Sequence, residues 1–374
     1  MYFHIPFCRR KCPYCDFHSL ASPRPPTKEY VEALIRDLYR WQVRTASRPV
    51  TSIFFGGGTP SLLEPELVSH LLESVRALWR VQQTCEITLE ANPDSVSAEA
   101  LHGWRAAGIN RLSLGVQALN EARLRQLGRL HDAHKAEEAI VAAREAGFDN
   151  LNLDVMLATP GQRLDSWKKE LRRLLAWRPE HLSAYVMSVE EGTPWHAQWQ
   201  RGQRVMPGER QQLRLMQALW EMLDEAGYIH YEISNWARPG RCCRHNLLIW
   251  EFGDYLGIGS GAHGKVTLAD GRVVRSEGVR EVSRYLEGTG PGWTEEVVAP
   301  EVLAQECLLM GLRTRRGLRR SLYGALGGVD RLKVAQEMEE AGLLRIRPTR
   351  WQLTRQGILV ADSVMTMLLQ SFDF

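Results

Sequence analysis

The sequence has no run of the roughly 18 apolar residues that would span a bilayer, and it does not open on a charged segment followed by an apolar one. A chain that is neither secreted nor membrane-spanning is expected. An excess of one charge is also missing, since 47 Lys and Arg stand against 44 Asp and Glu for a formal net charge of +3. Nothing in that overall field calls for nucleic acid. Only RTRRGLRR, Arg313 to Arg320, is densely cationic, and such a run reads first as a solvated helix face or loop. Cysteine is scarce, with seven in 374 residues, and three of them are clustered. The odd number and the clustering argue against a disulfide framework and for a reducing, cytoplasmic compartment. At 44% apolar and 24% charged residues, the bulk chemistry excludes disorder, collagen and coiled coil.

The length admits one large α/β unit with an appendage, or two to three domains. Six β-prone runs, YFHIPF, TSIFFGG, CEITLEAN, RLSLGVQ, LNLDVMLATP and HLSAYVMS, alternate with segments of helical spacing such as KEYVEALIRDLYRW and AHKAEEAIVAAREAG. Each run is about six residues long and mostly apolar, as a strand covered on both faces would be. Six β-then-α units predict an α/β fold with a parallel sheet curled into a partial (β/α)6 TIM-like barrel. Gly108, Gly147, Gly227 and Gly342 each follow an alanine at the end of a helical pattern, where a left-handed C-terminal residue is expected. The rhythm weakens after residue 195. A helix near 208–226, the Gly-rich FGDYLGIGSGAHG and the link GTGPGW lead into a tail that reads helix, helix, strand LRIRP, strand WQLT and a final helix GILVADSVMTMLLQSF. The expected organisation is a barrel over 1–200, an extension over 201–292, and a mostly helical, winged-helix-like C-terminal domain over 293–374. A winged helix often binds DNA but also serves as a structural cap.

Reactive groups in such barrels sit where strands end, and the candidates fall there. Cys8, Cys12 and Cys15 occupy the loop after the first strand. Their C-x3-C-x2-C spacing lets three thiolates hold three irons of a cuboidal cluster and leaves the fourth iron open. A Cys3His zinc site that uses His4 or His18 has permissible spacing too. Gly56-Gly57-Gly58-Thr59-Pro60 ends the second strand with bare backbone that a small zwitterion can approach. Glu90 ends the third, where a carboxylate can accept hydrogen bonds from ribose hydroxyls or an amino group.

Taken together, CRRKCPYC after one strand and GGGTP after the next resemble the radical S-adenosylmethionine (SAM) superfamily. The resemblance implies a [4Fe–4S] cluster whose open iron is chelated by the amino and carboxylate groups of SAM. An electron donor for the cluster is implied as well, since the electron cleaves the sulfonium to a deoxyadenosyl radical. Tyr2, HIPFC, FFGGGTPSLL, LEANPD, RLSLGVQALNEARLRQLGRLH, LNLDVMLATPGQ and LGIGSGAHG are similar, over essentially the whole chain, to the branch that holds the oxygen-independent coproporphyrinogen III oxidases and the heme chaperones. By that resemblance Tyr2, Gly57 and Glu90 contact the cluster-bound SAM. Tyr14, Gly58, Thr59, Gln117, Arg129 and Asp154 match positions that in the oxidases bind or border a second SAM. For Arg129 and Asp154 the other reading is a structural ion pair.

Three features separate the two relatives. The oxidases carry a further cysteine two residues after the third, and Phe17 stands there here. They also have a long extension before the first strand, whereas one residue precedes Tyr2. The chaperone family carries an H-N-x-x-Y-W segment implicated in heme binding. His245, Asn246 and Trp250 match it, with Ile249 in place of the tyrosine. Imidazole is a good ligand for heme iron, and an indole can cover a porphyrin face. His245 is the expected heme ligand, Cys243 the alternative, and a hydrogen-bonded histidine with buried, inert thiols at Cys242 and Cys243 the structural reading. The function expected from the resemblance is a cytoplasmic heme chaperone that passes heme to apo-hemoproteins, including respiratory ones at the membrane face, with a homodimer conceivable. The alternatives are porphyrinogen decarboxylation by the oxidase reaction and a zinc-stapled binding module.

Overall fold

The computed structural model describes residues 1–45, 47–203, 205–288, 290–328 and 331–370. All six expected strands form: β1 (Tyr2–Ile5), β2 (Val50–Gly57), β3 (Val81–Ala91), β4 (Arg111–Gln117), β5 (Leu151–Leu157) and β6 (His181–Val186). They pair in parallel and in chain order. The helices α1 (Thr27–Thr45), α2 (Pro65–Leu78), α3 (Ala98–Ala107), α4 (Ala133–Glu145), α5 (Leu164–Ala176) and α6 (Glu209–Glu225) make the crossovers, which is the partial (β/α)6 barrel anticipated. In α1 the fully buried Tyr30, Val31, Leu34, Leu38 and Trp41 recur at helical spacing and form one apolar stripe against the sheet. The expected left-handed helix ends are present, with φ of +114° at Gly108, +85° at Gly147, +79° at Gly227 and +73° at Gly342.

One expectation needs correcting. The strands are not apolar on both faces. Phe3, Ile5, Ile87, Leu89, Leu112, Leu114, Leu153 and Leu182 belong to the apolar core, whereas the alternate positions Glu86, Glu90, Arg111, Ser113, Asn152, Asp154, His181 and Ser183 are polar. Hydrogen bonds between β4, β5 and β6 join Ser113, Asp154, Asn152 and His181 to one another, so these residues share one face. A parallel sheet covered by helices on one side only can keep a polar concave side where a ligand or a network satisfies it.

Three further strands extend the sheet: β7 (Ile229–Glu232), β8 (Asn235–Ala237) and β9 (Gly257–Ile258). β9 lies parallel to β1, while β8 runs antiparallel to both β6 and β7. They cover the two edges that an open half-barrel would leave unpaired. Leu219, Trp220, Tyr228, Trp236, Ile258 and Tyr285 join the barrel core, so the region 201–292 packs as part of the barrel. A second core contains Leu303, Ala304, Cys307, Leu308, Leu318, Trp351, Val364 and Leu368. Around it lie helix Pro300–Leu312 and a three-stranded antiparallel sheet in the order Leu318–Arg319, Arg350–Leu353, Leu344–Ile346, as in a winged helix. The expected last helix is two, Arg355–Leu359 and Ala361–Gln370, with a break at Val360. Residues 371 and 372 of that expectation, and 289 of the link, lie outside the described residues. The basic run forms a turn and a short strand. Arg316 pairs with Glu251 at 2.6 Å, and Arg313 and Arg320 lie over the rings of Trp250 and Trp351. Among the described residues no helix is long and apolar enough to cross a membrane.

Candidate functional site

The cysteine loop is closed at its base by a short parallel ladder in which Phe7 faces Leu20 and Cys8 faces Ala21. Leu20 N donates to Pro6 O at 2.6 Å and Ser22 N to Cys8 O at 2.9 Å. Further out, Arg9 Nη1 donates to Asp94 O at 2.8 Å and Trp195 N to Pro13 O at 3.1 Å. The three thiols are half-buried and form no disulfide. Burial pushes the Cys8 and Cys15 thiols up, against hydrogen bonds and nearby cations that pull them down. Such thiols need a positive centre to become thiolate. One cation is already in place, since Arg129 Nη1 lies 3.8 Å from Cys12 Sγ.

The zinc reading fits less well. His4 has both ring nitrogens engaged, Nδ1 with Tyr2 Oη at 3.0 Å and Nε2 with His18 O at 2.8 Å, and His18 Nε2 meets Ser260 Oγ at 3.1 Å. Ligands of one zinc stand about 2.3 Å from it. Among the described residues no three His, Cys, Asp or Glu side chains converge in that way. Thiolates on different irons of a cube stand further apart.

The glycine run packs directly beneath this loop. Gly58 N donates to Ile5 O at 2.8 Å, and a Cβ at Gly58 would lie 2.6 Å from Phe7 O and 2.9 Å from Cys8 Sγ. Gly57, at φ +118°, turns its N–H toward Glu90 Oε2 at 3.2 Å. Thr59 and Arg129 are joined by a residue not singled out in the sequence. Asn92 Nδ2 donates to Thr59 Oγ1 at 3.1 Å, and its Oδ1 accepts from Arg129 Nη2, which also reaches Gly115 O at 2.9 Å. The cue was present, since Asn92 stands two residues after Glu90 in LEANPD.

Arg129 and Asp154 form no ion pair. Asp154 accepts instead from Ser113 Oγ at 2.8 Å and Asn152 Nδ2 at 2.9 Å. Burial raises its pKa, and burial together with the Asp154 charge raises that of Glu90 to about 8. Neither acid has a salt-bridge partner among the described residues. Gln117 ends β4 at φ +64°, a conformation that a non-glycine residue rarely holds without a reason, and its Oε1 is buried without a donor. Tyr14 packs against Trp195 with ring centroids 5.7 Å apart.

Two carboxyls without a cation partner, an orphaned amide oxygen and bare glycine backbone suit a cationic zwitterion with hydroxyls. SAM fits that description, and the three thiols fit the cluster. Cys8, Cys12 and Cys15 would hold the cluster, and Gly57, Glu90 and Gln117 the SAM. When bound, the pair supplies one-electron chemistry at a sulfonium. The Glu90 carboxyl is raised on folding, so its stability contribution is full below about 4.5 and is lost as pH climbs toward about 8. Glu90→Gln should therefore melt higher than the parent at pH 8 and level with it near pH 4.5. A constant difference across that range, read by thermal melts, would contradict the assignment.

The radical SAM superfamily model matches residues 2–174, and the HemN C-terminal domain model matches 298–360. The heme chaperone HemW of Escherichia coli is 36% identical over 99% of this chain and 97% of its own length, and that of Bacillus subtilis 33% over 98% of each. The chain belongs to the heme chaperone HemW family. The solved structure of E. coli coproporphyrinogen III oxidase (HemN) superposes with a TM-score of 0.82 over 98% of this chain and 89% of that one, at 22% identity, and shows the same fold.

The segment that matches the HemW motif lies on α7 (Arg244–Trp250), which closes the floor of the half-barrel. His245 is 2% exposed. Its Nδ1 meets Ser52 Oγ at 3.0 Å, its ring stacks on Phe54 at 5.1 Å and on Tyr2 at 6.3 Å, and its Nε2 is buried without a partner. The expected heme ligation by His245 is not compatible with this arrangement, because no porphyrin face can reach an enclosed Nε2 unless α7 moves. Cys243 is fully buried, its Sγ lies 3.5 Å from Glu86 Oε1, and burial lifts its thiol to about 12, so the thiolate alternative fails too. The Trp250 face is covered by the Arg313 guanidinium, 4.8 Å from the ring centroid.

Sequence reasoning missed the connection between this floor and the SAM side. Glu86 Oε1 accepts from His245 N and Cys243 Sγ, and Cys243 N donates to Tyr231 Oη. Tyr231 Oη meets His181 Nε2 at 2.7 Å, His181 Nδ1 meets Asn152 Oδ1 at 2.6 Å, and Asn152 Nδ2 donates to Asp154. The members come from five separate segments of the chain, and only the alternation of polar residues along the strands hinted at them.

Proposed function

We propose that the chain takes up heme and passes it to apo-hemoproteins, with a [4Fe–4S] cluster on Cys8, Cys12 and Cys15 and SAM at the ends of β2 to β5. The observation that carries this reading is the full-length similarity to HemW heme chaperones. It is supported by Phe17, 61% exposed, at the place where the oxidases have another cysteine. The protein's own residues Glu90, Gln117 and the glycine run would hold SAM, and Arg129 stays beside Cys12. The hydrogen-bonded chain from Asp154 to His245 gives α7 a route by which to respond to that site. Acceptors at the membrane face suit respiratory hemoproteins.

The test is a heme titration of the cluster-reconstituted protein, followed by transfer to an apo-hemoprotein. A shifted Soret band and recovery of the acceptor's own spectrum are expected. Absence of the shift, or release of carbon dioxide from coproporphyrinogen with SAM under reducing conditions, would sink the chaperone reading.

A further inference from the structure

His245 is enclosed, so the protein needs another surface for a tetrapyrrole, and the structure offers one away from the strand ends. A cavity of about 530 Å3 opens between α6 and β7 on one side and the small C-terminal sheet on the other. That size falls within the range of roughly 300–1,000 Å3 common for small-molecule sites. Trp220, Asp224 and His230 line the barrel wall, and Arg315, Arg345 and Arg355 are the cationic residues of the lining. Arg355 is committed, pairing with Asp224 at 2.8 Å and lying over the Trp220 ring at 5.1 Å. Arg315 and Arg345 are exposed, and neither meets a carboxylate within ion-pair distance among the described residues. Two uncommitted guanidinium groups on one cavity suit a ligand that carries two carboxylates, because the planar fork pairs bidentately with each.

The wall opposite them carries the rings of Trp220 and His230 and the carboxylate of Asp224, which Arg355 neutralises. The His230 ring stacks on Trp236 at 4.3 Å and 8° and lies 5.3 Å from Trp220. Its Nε2 faces Ile233 O at 3.2 Å, and since a carbonyl only accepts, that nitrogen carries the proton. Burial, with Arg315 and Arg355 nearby, lowers the imidazole pKa to about 4, so the ring is neutral near pH 7 and presents an uncharged surface.

We propose that this cavity binds the propionate edge of the tetrapyrrole, with Arg315 and Arg345 on the two carboxylates and the ring edge against His230 and Ile358. The proposal rests on heme being the cargo, and its test separates the two claims. The full-length, cluster-reconstituted protein is titrated with heme, followed by the Soret band, and with iron-free protoporphyrin IX, followed by fluorescence anisotropy. The same is done for Arg315→Glu/Arg345→Glu and for His245→Phe. Both arginines are exposed, so the double variant should melt with the parent.

The expected result is a rise in Kd of tenfold or more for both ligands in the double variant, as loss of two charge-assisted contacts implies, and little change in His245→Phe. Unchanged affinity in the double variant overturns the proposal, as does failure of the parent to bind either ligand. Binding of protoporphyrin without heme, lost in the double variant, leaves the cavity assigned and removes the chaperone reading.

Discussion

Cys12→Ala is expected to abolish iron binding while leaving the fold intact. The parent, reconstituted anaerobically, should hold about four irons per chain, as a [4Fe–4S] cube requires, and the variant less than one. Each of three thiolates takes a different iron, so no cysteine is spare. The remaining four cysteines cannot substitute: Cys243 and Cys307 are buried, Cys85 is buried within β3, and Cys242 is on the floor of the barrel. Cys12 also sits beside Arg129, which would otherwise offset the negative charge of the cluster. The fold survives because the loop is closed by the Phe7–Leu20 and Cys8–Ala21 ladder and by Arg9 on Asp94, none of which uses the Cys12 side chain. Metal analysis alongside circular dichroism decides the point. Full iron content in Cys12→Ala, or one zinc in the parent, would refute the cluster assignment.

Gly58→Val should destroy the same site from the other side. The first carbon of any side chain at this position would stand 2.6 Å from Phe7 O and 2.9 Å from Cys8 Sγ. Neither backbone can yield, because Gly58 N is bonded to Ile5 O and Cys8 is held against Ala21. Overpacking of this kind costs about 1–3 kcal/mol, and the strain falls on the ligand itself, so cluster loss should exceed the loss of stability. Gly208→Ala is the matched control, since it meets nothing within 4 Å. Denaturant melts and iron content are the readouts. Normal iron content in Gly58→Val would show that the loop tolerates a displacement this structure does not allow.

Much of the fold was legible because its signals are local. Strand-length apolar runs, helical stripes such as the one in α1, and glycines that must turn left-handed at helix ends each act within a few residues. The same holds for the cysteine loop, whose spacing is a property of one short segment. Asn92, which ties Thr59 to Arg129, was not legible, since an asparagine reads as a turn residue until the strands that flank it are assembled. Nor was the break at Val360, where the chain's apolar pattern runs on but Gly357 is pressed against Leu343.

The sequence by itself determined the parallel barrel, the three-cysteine loop and the glycine run under it, because each follows from residue type and spacing. Only the tertiary structure decided what the polar strand positions do and where His245 points. Those outcomes depend on which side chains meet across strands far apart in the chain, and no local pattern encodes the meeting. Packing α7 against the barrel floor stacked His245 on Tyr2 and Phe54 and enclosed it, while docking the C-terminal sheet beside α6 gathered arginines from separate segments around one cavity.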